Sequence, residues 1–253
     1  MSRRRFYAPP EAFALASGSV VLEADEARHL RDVLRLERGA EVFVFDGVGQ
    51  EYRCEVKESA RGLVRLNVVE EVEAARPESP LDLELAVALL KGEKFDLVVQ
   101  KATELGARGI VPLITKQADV RLRDERDGER RVARWQRIAL EASKQSGRAV
   151  VPVVSAPRLF ASLVEANVGG ERWRVMFSER EGQELLETIK NVPASAAAVT
   201  ALVGPEGGWT DEEIRQARDA GWNIVTLGGR TLRAETAAIA VTALLQHLLG
   251  DFR

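Results

Sequence analysis

The chain has a single cysteine, Cys54, among 253 residues. That excludes an internal disulfide and any cysteine-rich metal site, and it fits a reducing cytoplasm. Histidine is nearly as scarce. His29 and His247 lie far apart in sequence, so a transition-metal centre built by the protein is not expected. No apolar run reaches the roughly 20 residues that a membrane span needs. The longest, in "AETAAIAVTALLQHLLG", is broken by Gln246 and His247. The opening "MSRRRFYAPPEAF" is basic with no apolar core behind it, and a secretion signal is not expected. Also missing are the phosphate loop G-x-x-x-x-G-K-[ST] and a G-x-G-x-x-G after the first strand of a βαβ unit.

What is present, 45% hydrophobic and 30% charged residues, is the composition of a soluble globular protein with room for one large domain or two unequal ones. The net charge of −3 hides basic clusters. Arg3, Arg4 and Arg5 are consecutive, and Lys116 to Arg148 holds ten Lys/Arg against six Asp/Glu. Polyanion binding follows such patches rather than the total charge, although a run of charge can equally be a solvated helix face.

The first seventy or so residues predict a small β-barrel with one helix. In "LEADEARHLRDVLRLERG", Ala27, Leu30, Val33 and Leu34 recur at helical spacing and Gly39 ends the element. Arg28, Arg31 and Arg35 fall on another face, with His29 between the two stripes. The strands "EVFVFDG" and "QEYRCEVKES" flank a "DGVGQ" hairpin signal, with Tyr52, Cys54 and Val56 alternating inward, and "GLVRLNVVEEV" adds another strand. A proline-containing stretch without periodicity, Glu73 to Pro80, reads as a linker, so the expected domains are 1–72 and 73–253. Beyond it strands and helices alternate from "LDLELAVALL" to the closing helix after Ala234. That order implies an α/β domain with a mainly parallel sheet covered on both faces. Ligands in such sheets gather at the carboxyl ends of the strands.

Two late strands end in glycine loops, "LVGPEGGWT" and "VTLGGRTLRAET". Thr210 can cap the helix that begins at Asp211, and Glu213 completes a capping box. Gly204, Gly207 and Gly208 exceed what a cap needs, and they leave bare backbone N–H and C=O groups for a flat polar ligand. Glu206 in the first bend, with Asp211, Glu212 and Glu213 after it, repels phosphate and suits a neutral or cationic ligand. A tight turn without a ligand is the alternative.

"GPEGGWTDEEI" with "LGGRTLRAETAAIA", the central "LLKGEKFDLVVQKATELGARGIVPLIT" and "RWQRIALEASKQSGR", and the N-terminal "HLRDVLRLERGAEVFVFDG" together resemble the ribosomal RNA small-subunit methyltransferase E family of the SPOUT class. The likeness spans nearly the whole chain in the family's order. One departure is that "LGGR" places glycine where many relatives carry proline. The resemblance implies a PUA-like N-terminal barrel and a C-terminal α/β domain with a deep trefoil knot. It also implies a homodimer, S-adenosyl-L-methionine as methyl donor, and N3 of one uridine in small-subunit (16S) ribosomal RNA or the 30S particle as acceptor, in the cytoplasm, with neither metal nor membrane involved. By analogy with SPOUT sites, Leu202, Val203, Gly204, Glu206, Gly207 and Gly208 form one wall of the cofactor site. Leu227, Gly228, Leu232 and Arg233 form the other, with Ser178 and Glu179 as a third side.

Methylation at N3 of uridine requires loss of the N3 proton or stabilisation of the anion. Arg233 is the candidate cation. Glu235 is the candidate base, or else a first-turn carboxylate placed by the helix dipole. For RNA, Arg3, Arg4, Arg5, Arg28, His29, Arg31 and Arg35 are the candidate contacts. Two alternatives remain open: a SPOUT methyltransferase for another RNA such as tRNA, and a non-catalytic RNA-binding assembly factor.

Overall fold

The computed structural model describes residues 3–60, 62–166, 172–190, 192 and 198–252. The chain forms two compact units, residues 1–78 with 140–151, and residues 79–139 with 152–253. The first unit therefore takes in the segment 140–151, which no linker signal in the sequence marks.

Six strands build the first unit: β1 (Arg5–Tyr7), β2 (Phe13–Ala14), β3 (Ser19–Glu23), β4 (Glu41–Phe45), β5 (Glu51–Ala60) and β6 (Leu63–Val72). They form one sheet in the order β1-β4-β5-β6-β3-β2. Alternation decides its buried side: Val42, Val44, Tyr52, Cys54 and Val56 join Phe6, Leu22 and Leu66 in one core. The predicted hairpin joins β4 to β5, where Asp46 Oδ1 accepts the N–H groups of Val48, Gly49 and Gln50 at 2.9–3.0 Å.

The predicted helix is shorter and wider than its spacing suggests. One α-turn, α1 (Ala24–Arg28), passes into a π-helical turn at His29–Val33, with Leu34 N–H donating to the His29 carbonyl at 2.9 Å. Five-residue closure carries the chain past the 3.6-residue period. Ala27 and Leu30 stay buried, whereas Val33 and Leu34 are 66% and 40% exposed. Arg35 takes a left-handed φ of 51°, which ends the helix before it. The expected common face of Arg28, Arg31 and Arg35 is therefore broken.

The second unit contains β7 (Asp82–Ala88), β8 (Gly109–Ile114), β9 (Val153–Val154), β10 (Arg158–Leu159), β11 (Arg172–Phe177), β12 (Gln183–Glu184), β13 (Ala198–Val203) and β14 (Asn223–Thr226). Its helices are α2 (Lys94–Glu104), α4 (Phe160–Val164), α5 (Leu185–Ile189), α6 (Asp211–Asp219) and α7 (Ala234–Leu249); α3 (Glu125–Ser146) starts here, and its residues from 140 onward belong to the first unit. The stretch "RLFASLVEAN" predicts a helix; α4 forms within it, and the last residue of the stretch, Asn167, lies outside the described residues. The sheet is parallel, in the order β10-β8-β7-β13-β11-β14-β12 with β9 beside β8. Its central strands are nearly continuous apolar runs, as a sheet covered on both faces demands. Ala86, Leu113, Met176, Leu202 and Ile224 meet α4 and α6 on one face. Their neighbours in sequence point to the other face, where α7 packs on β7 and β13 and against α2.

Candidate active site

Two consequences of sheet order make the site. β13 and β14 lie on either side of β11, so the loops that follow them meet across its carboxyl end. Phe177, the last residue of β11, pairs with Val203 and with Val225. A cleft of about 460 Å³ opens there, within the range of small-molecule sites. Its walls are 203–208 and 226–234, its third side is Phe177, Ser178 and Glu179, and Ala237 and Val241 of α7 close the back.

All but two of the candidate cofactor and catalytic residues line this cleft: Val203, Gly204, Glu206, Gly207, Gly208, Leu227, Gly228, Leu232 and Arg233, with Ser178 and Glu179 on the third side. Leu202 does not. It is one residue before Val203, so its side chain points to the opposite face of the sheet, into the core with Trp209. Glu235 is likewise absent from the lining. Its carboxylate turns to Lys94 Nζ at 3.7 Å, and Oε2 is buried without a hydrogen-bond partner. The sequence reasoning missed Pro205, Thr226, Gly229, Arg230, Thr231 and Ala234 on the walls. Of these, Gly229 and Arg230 were marked by the same "LGGR" stretch.

The glycines of the first loop are bare chiefly for the chain's own side chains. A Cβ on Gly204 would sit 3.1 Å from Cε2 and Nε1 of Trp209. That indole is buried beneath the loop and donates to the Phe177 carbonyl at 2.8 Å, tying the loop to the end of β11. A Cβ on Gly207 would sit 3.1 Å from Gln117, and Gly208 has a left-handed φ of 72° with Glu179 against it. The capping box forms as predicted: Glu213 N–H donates to Thr210 Oγ1 at 3.2 Å and Thr210 N–H to Glu213 Oε2 at 2.9 Å. Glu213 also accepts the Lys116 N–H at 3.0 Å, so the buried carboxylate fixes a second segment. In the other loop Gly228 and Gly229 both hold left-handed φ, 67° and 72°. No atom lies within 4 Å of where a methyl group would stand on either, so conformation alone calls for glycine.

Electrostatics of the rim centre on Lys94, at the start of α2, whose ammonium donates to Glu206 Oε1 at 2.8 Å. Partial burial pushes the Glu206 carboxyl up, but the Lys94 hydrogen bond and charge outweigh it and hold Glu206 below the usual carboxylate range. Glu206 is thus a fixed anion beside the cleft. Arg233 is exposed at the N-cap of α7, in extended conformation, and makes no ion pair among the described residues.

The candidate RNA contacts sit in the first unit. Arg4 and Arg28 are exposed, Arg28 pairing with Asp25; Arg31 pairs with Asp32, and His29 packs edge-on against Phe6 with ring centroids 5.8 Å apart. Arg35 is exposed on its strained turn. Arg5 differs. Its side chain is only 7% exposed, pairs with the fully buried Glu51, and donates to the carbonyls of Ser143, Lys144 and Arg148. Arg3 shares Glu51 and lies over the Phe43 ring, 4.8 Å from its centroid. Arg5 is a structural tie of this unit, not an outward phosphate contact. Among the described residues no group of three or more His, Cys, Asp or Glu could hold a metal, and no helix is long and apolar enough to cross a membrane.

Residues 77–246 match the family model of an RNA methyltransferase domain, and residues 22–69 that of an RNA methyltransferase PUA domain. Ribosomal RNA small subunit methyltransferase E of Synechocystis sp. is 34% identical over 249 residues, 98% of this chain and 78% of the relative. The chain belongs to the ribosomal RNA small subunit methyltransferase E family. Another member, from Bacillus subtilis, is 29% identical over 91% of this chain and 92% of its own. The crystal structure of the Neisseria gonorrhoeae methyltransferase E bound to S-adenosyl methionine superposes with a TM-score of 0.86 at 33% identity, covering both chains completely. A Legionella pneumophila methyltransferase solved with its cofactor SAM gives 0.86 at 31% identity, over 99% of this chain and 100% of that one.

Proposed function

We propose that this protein transfers a methyl group from S-adenosyl-L-methionine to N3 of a specific uridine in small-subunit (16S) ribosomal RNA. The observation that carries the reading is the convergence of the two glycine loops on the end of β11, in a chain of this methyltransferase family. The donor chemistry fits the cleft: backbone groups around Gly204–Gly208 and Leu227–Gly228 can serve an adenine edge, and the anions Glu206 and Glu179 tolerate a cationic sulfonium. When bound, the cofactor supplies an electrophilic methyl group and leaves as a neutral thioether.

The chain's own residues supply placement and charge. Arg233, exposed at the mouth, is set to face O2 or O4 of the uracil and stabilise the charge left when the N3 proton departs. Glu235, turned to Lys94, anchors the first turn of α7 and so the backbone that presents Arg233. Arg4, Arg28, Arg31 and Arg35 of the PUA domain are proposed as phosphate contacts, joined by Arg3 where its charge exceeds its share of Glu51. The finer architecture belongs to the same proposal: a PUA-like barrel at 1–72, a SPOUT domain at 73–253, a homodimer in the cytoplasm, and a trefoil knot.

The test offers isotopically labelled S-adenosylmethionine together with 30S particles, naked 16S RNA or tRNA, followed by mapping of the modified base. Label at one uridine N3 of the small subunit is expected. Label in tRNA alone would give the other SPOUT reading, and cofactor binding without label in any RNA would give the assembly factor.

A further inference from the structure

We infer that an arginine-lined groove between the first turn of α2 and the N-terminal half of α3 is a docking surface for the phosphodiester backbone of RNA. This rests on the reading that the substrate is RNA, and it adds a contact site within the methyltransferase unit itself. The groove, about 620 Å³ in volume, has Arg123, Arg130, Arg131 and Arg134 with Asp127 on one side and Glu93 and Asp96 on the other. The lining thus carries four arginines against three carboxylates, a net positive charge in a chain whose total is −3.

These arginines are oriented without being used up. Asp127 takes Arg130 at 3.5 Å and Arg131 at 3.4 Å, yet the Arg130 side chain remains 73% exposed. Asp96 accepts the Trp135 indole N–H at 3.0 Å and binds Arg134, whose side chain remains 55% exposed. A guanidinium carries five N–H donors, and a carboxylate engages at most two of them. Arg130, Arg131 and Arg134 therefore keep donors for a phosphate at positions set by carboxylates that are themselves mostly buried, while Arg123 is exposed and its backbone N–H donates to Asp127 at 3.4 Å. The floor is rigid, because Phe95 and Trp135 are buried and in ring contact at 4.3 Å.

Continuity with the cleft decides the occupant. Gly92 and Glu93 edge the groove, and the next residue, Lys94, bonds Glu206 on the cleft rim. An RNA strand with one base in the cleft would lay its neighbouring phosphates along these arginines.

The test measures binding of naked small-subunit ribosomal RNA by fluorescence anisotropy across a salt series, for wild type and Arg123→Gln/Arg130→Gln. The double variant should bind about tenfold more weakly at low salt, and its slope of log K against log salt should shrink by about 1.4, roughly 0.7 per lost phosphate contact. Cofactor binding by calorimetry should not change. Arg130→Gln alone should lose about half of that slope, and Arg123→Lys/Arg130→Lys should keep it. Unchanged affinity and slope in the glutamine variants, beside a wild type that binds RNA, would overturn the groove and leave the methyltransferase reading intact. Normal affinity for naked RNA with impaired methylation of 30S particles only would assign the groove to an acidic protein and also overturn it. A wild type that binds cofactor but no RNA at any salt would overturn both.

Discussion

Gly204→Ala tests whether the first cleft wall is held by its own tryptophan. The residue is not among those with left-handed φ, so alanine carries no backbone penalty there. The cost must come from contact: the new methyl would lie 3.1 Å from two atoms of the Trp209 indole. That ring is 1% exposed, packs on Phe160 at 5.3 Å between centroids, and bonds the Phe177 carbonyl, so it has little room to yield. Overpacking of this kind costs about 1–3 kcal/mol. At about 2 kcal/mol the melting temperature of a chain this long falls by roughly 4–8 °C. Trp209→Phe should cost about 1–3 kcal/mol by itself, because it leaves the Phe177 carbonyl without its donor. The smaller ring also makes room for the methyl, so the double variant should be more stable than the sum of the singles predicts, by about 1 kcal/mol. Thermal unfolding of the four proteins reads this out. Additive losses, or a Gly204→Ala protein that melts with wild type, would refute the account of the loop and return Gly204 to a role toward ligand alone.

Other predictions concern charge and burial. Arg5→Ala leaves Glu51 buried without its main partner and should cost about 3–5 kcal/mol, whereas Arg4→Ala should change stability by under about 0.5 kcal/mol; equal effects in denaturant titrations would contradict the assignment of Arg5 as a buried tie. Glu206 titrates below its ordinary value of 4.5, so its contribution to stability is present above that pH and is lost as pH falls through the lowered folded-state value. Lys94→Met should therefore narrow the difference in melting temperature between pH 7 and pH 4, and an unaltered difference would count against the pair. Burial pushes the Cys54 thiol up to about 12, so a thiol reagent at pH 8 should label it only after unfolding; rapid labelling of the native protein would contradict that burial.

Much of the second unit was legible because its signals are local. Largely apolar stretches marked β7 and β13, the capping box marked the start of α6, and glycines marked the two strand ends that carry the cleft. Their meeting was not legible, since it depends on β11 standing between β13 and β14 in the sheet. Alternation along β13 settles which residues face the cleft, Val203 rather than Leu202, once the position of α7 is known. Lys94 escaped notice because its partner Glu206 is 112 residues away. Trp209 escaped because nothing local says that an indole will fill the space beneath a glycine. In the first unit the 27–35 stripe misled: helical spacing assumes a 3.6-residue turn, and the π-helical turn at His29–Val33 breaks that assumption. Arg5 looked like its neighbours Arg3 and Arg4, and only its burial against Glu51 separates their roles.

The most direct measurement is a crystal structure of this protein with S-adenosylmethionine bound. The account predicts density for the cofactor between the 203–208 and 226–234 walls, its adenine against main chain and Arg233 free at the mouth. Those walls vacant at saturating cofactor, with the ligand bound at any other surface, would contradict it.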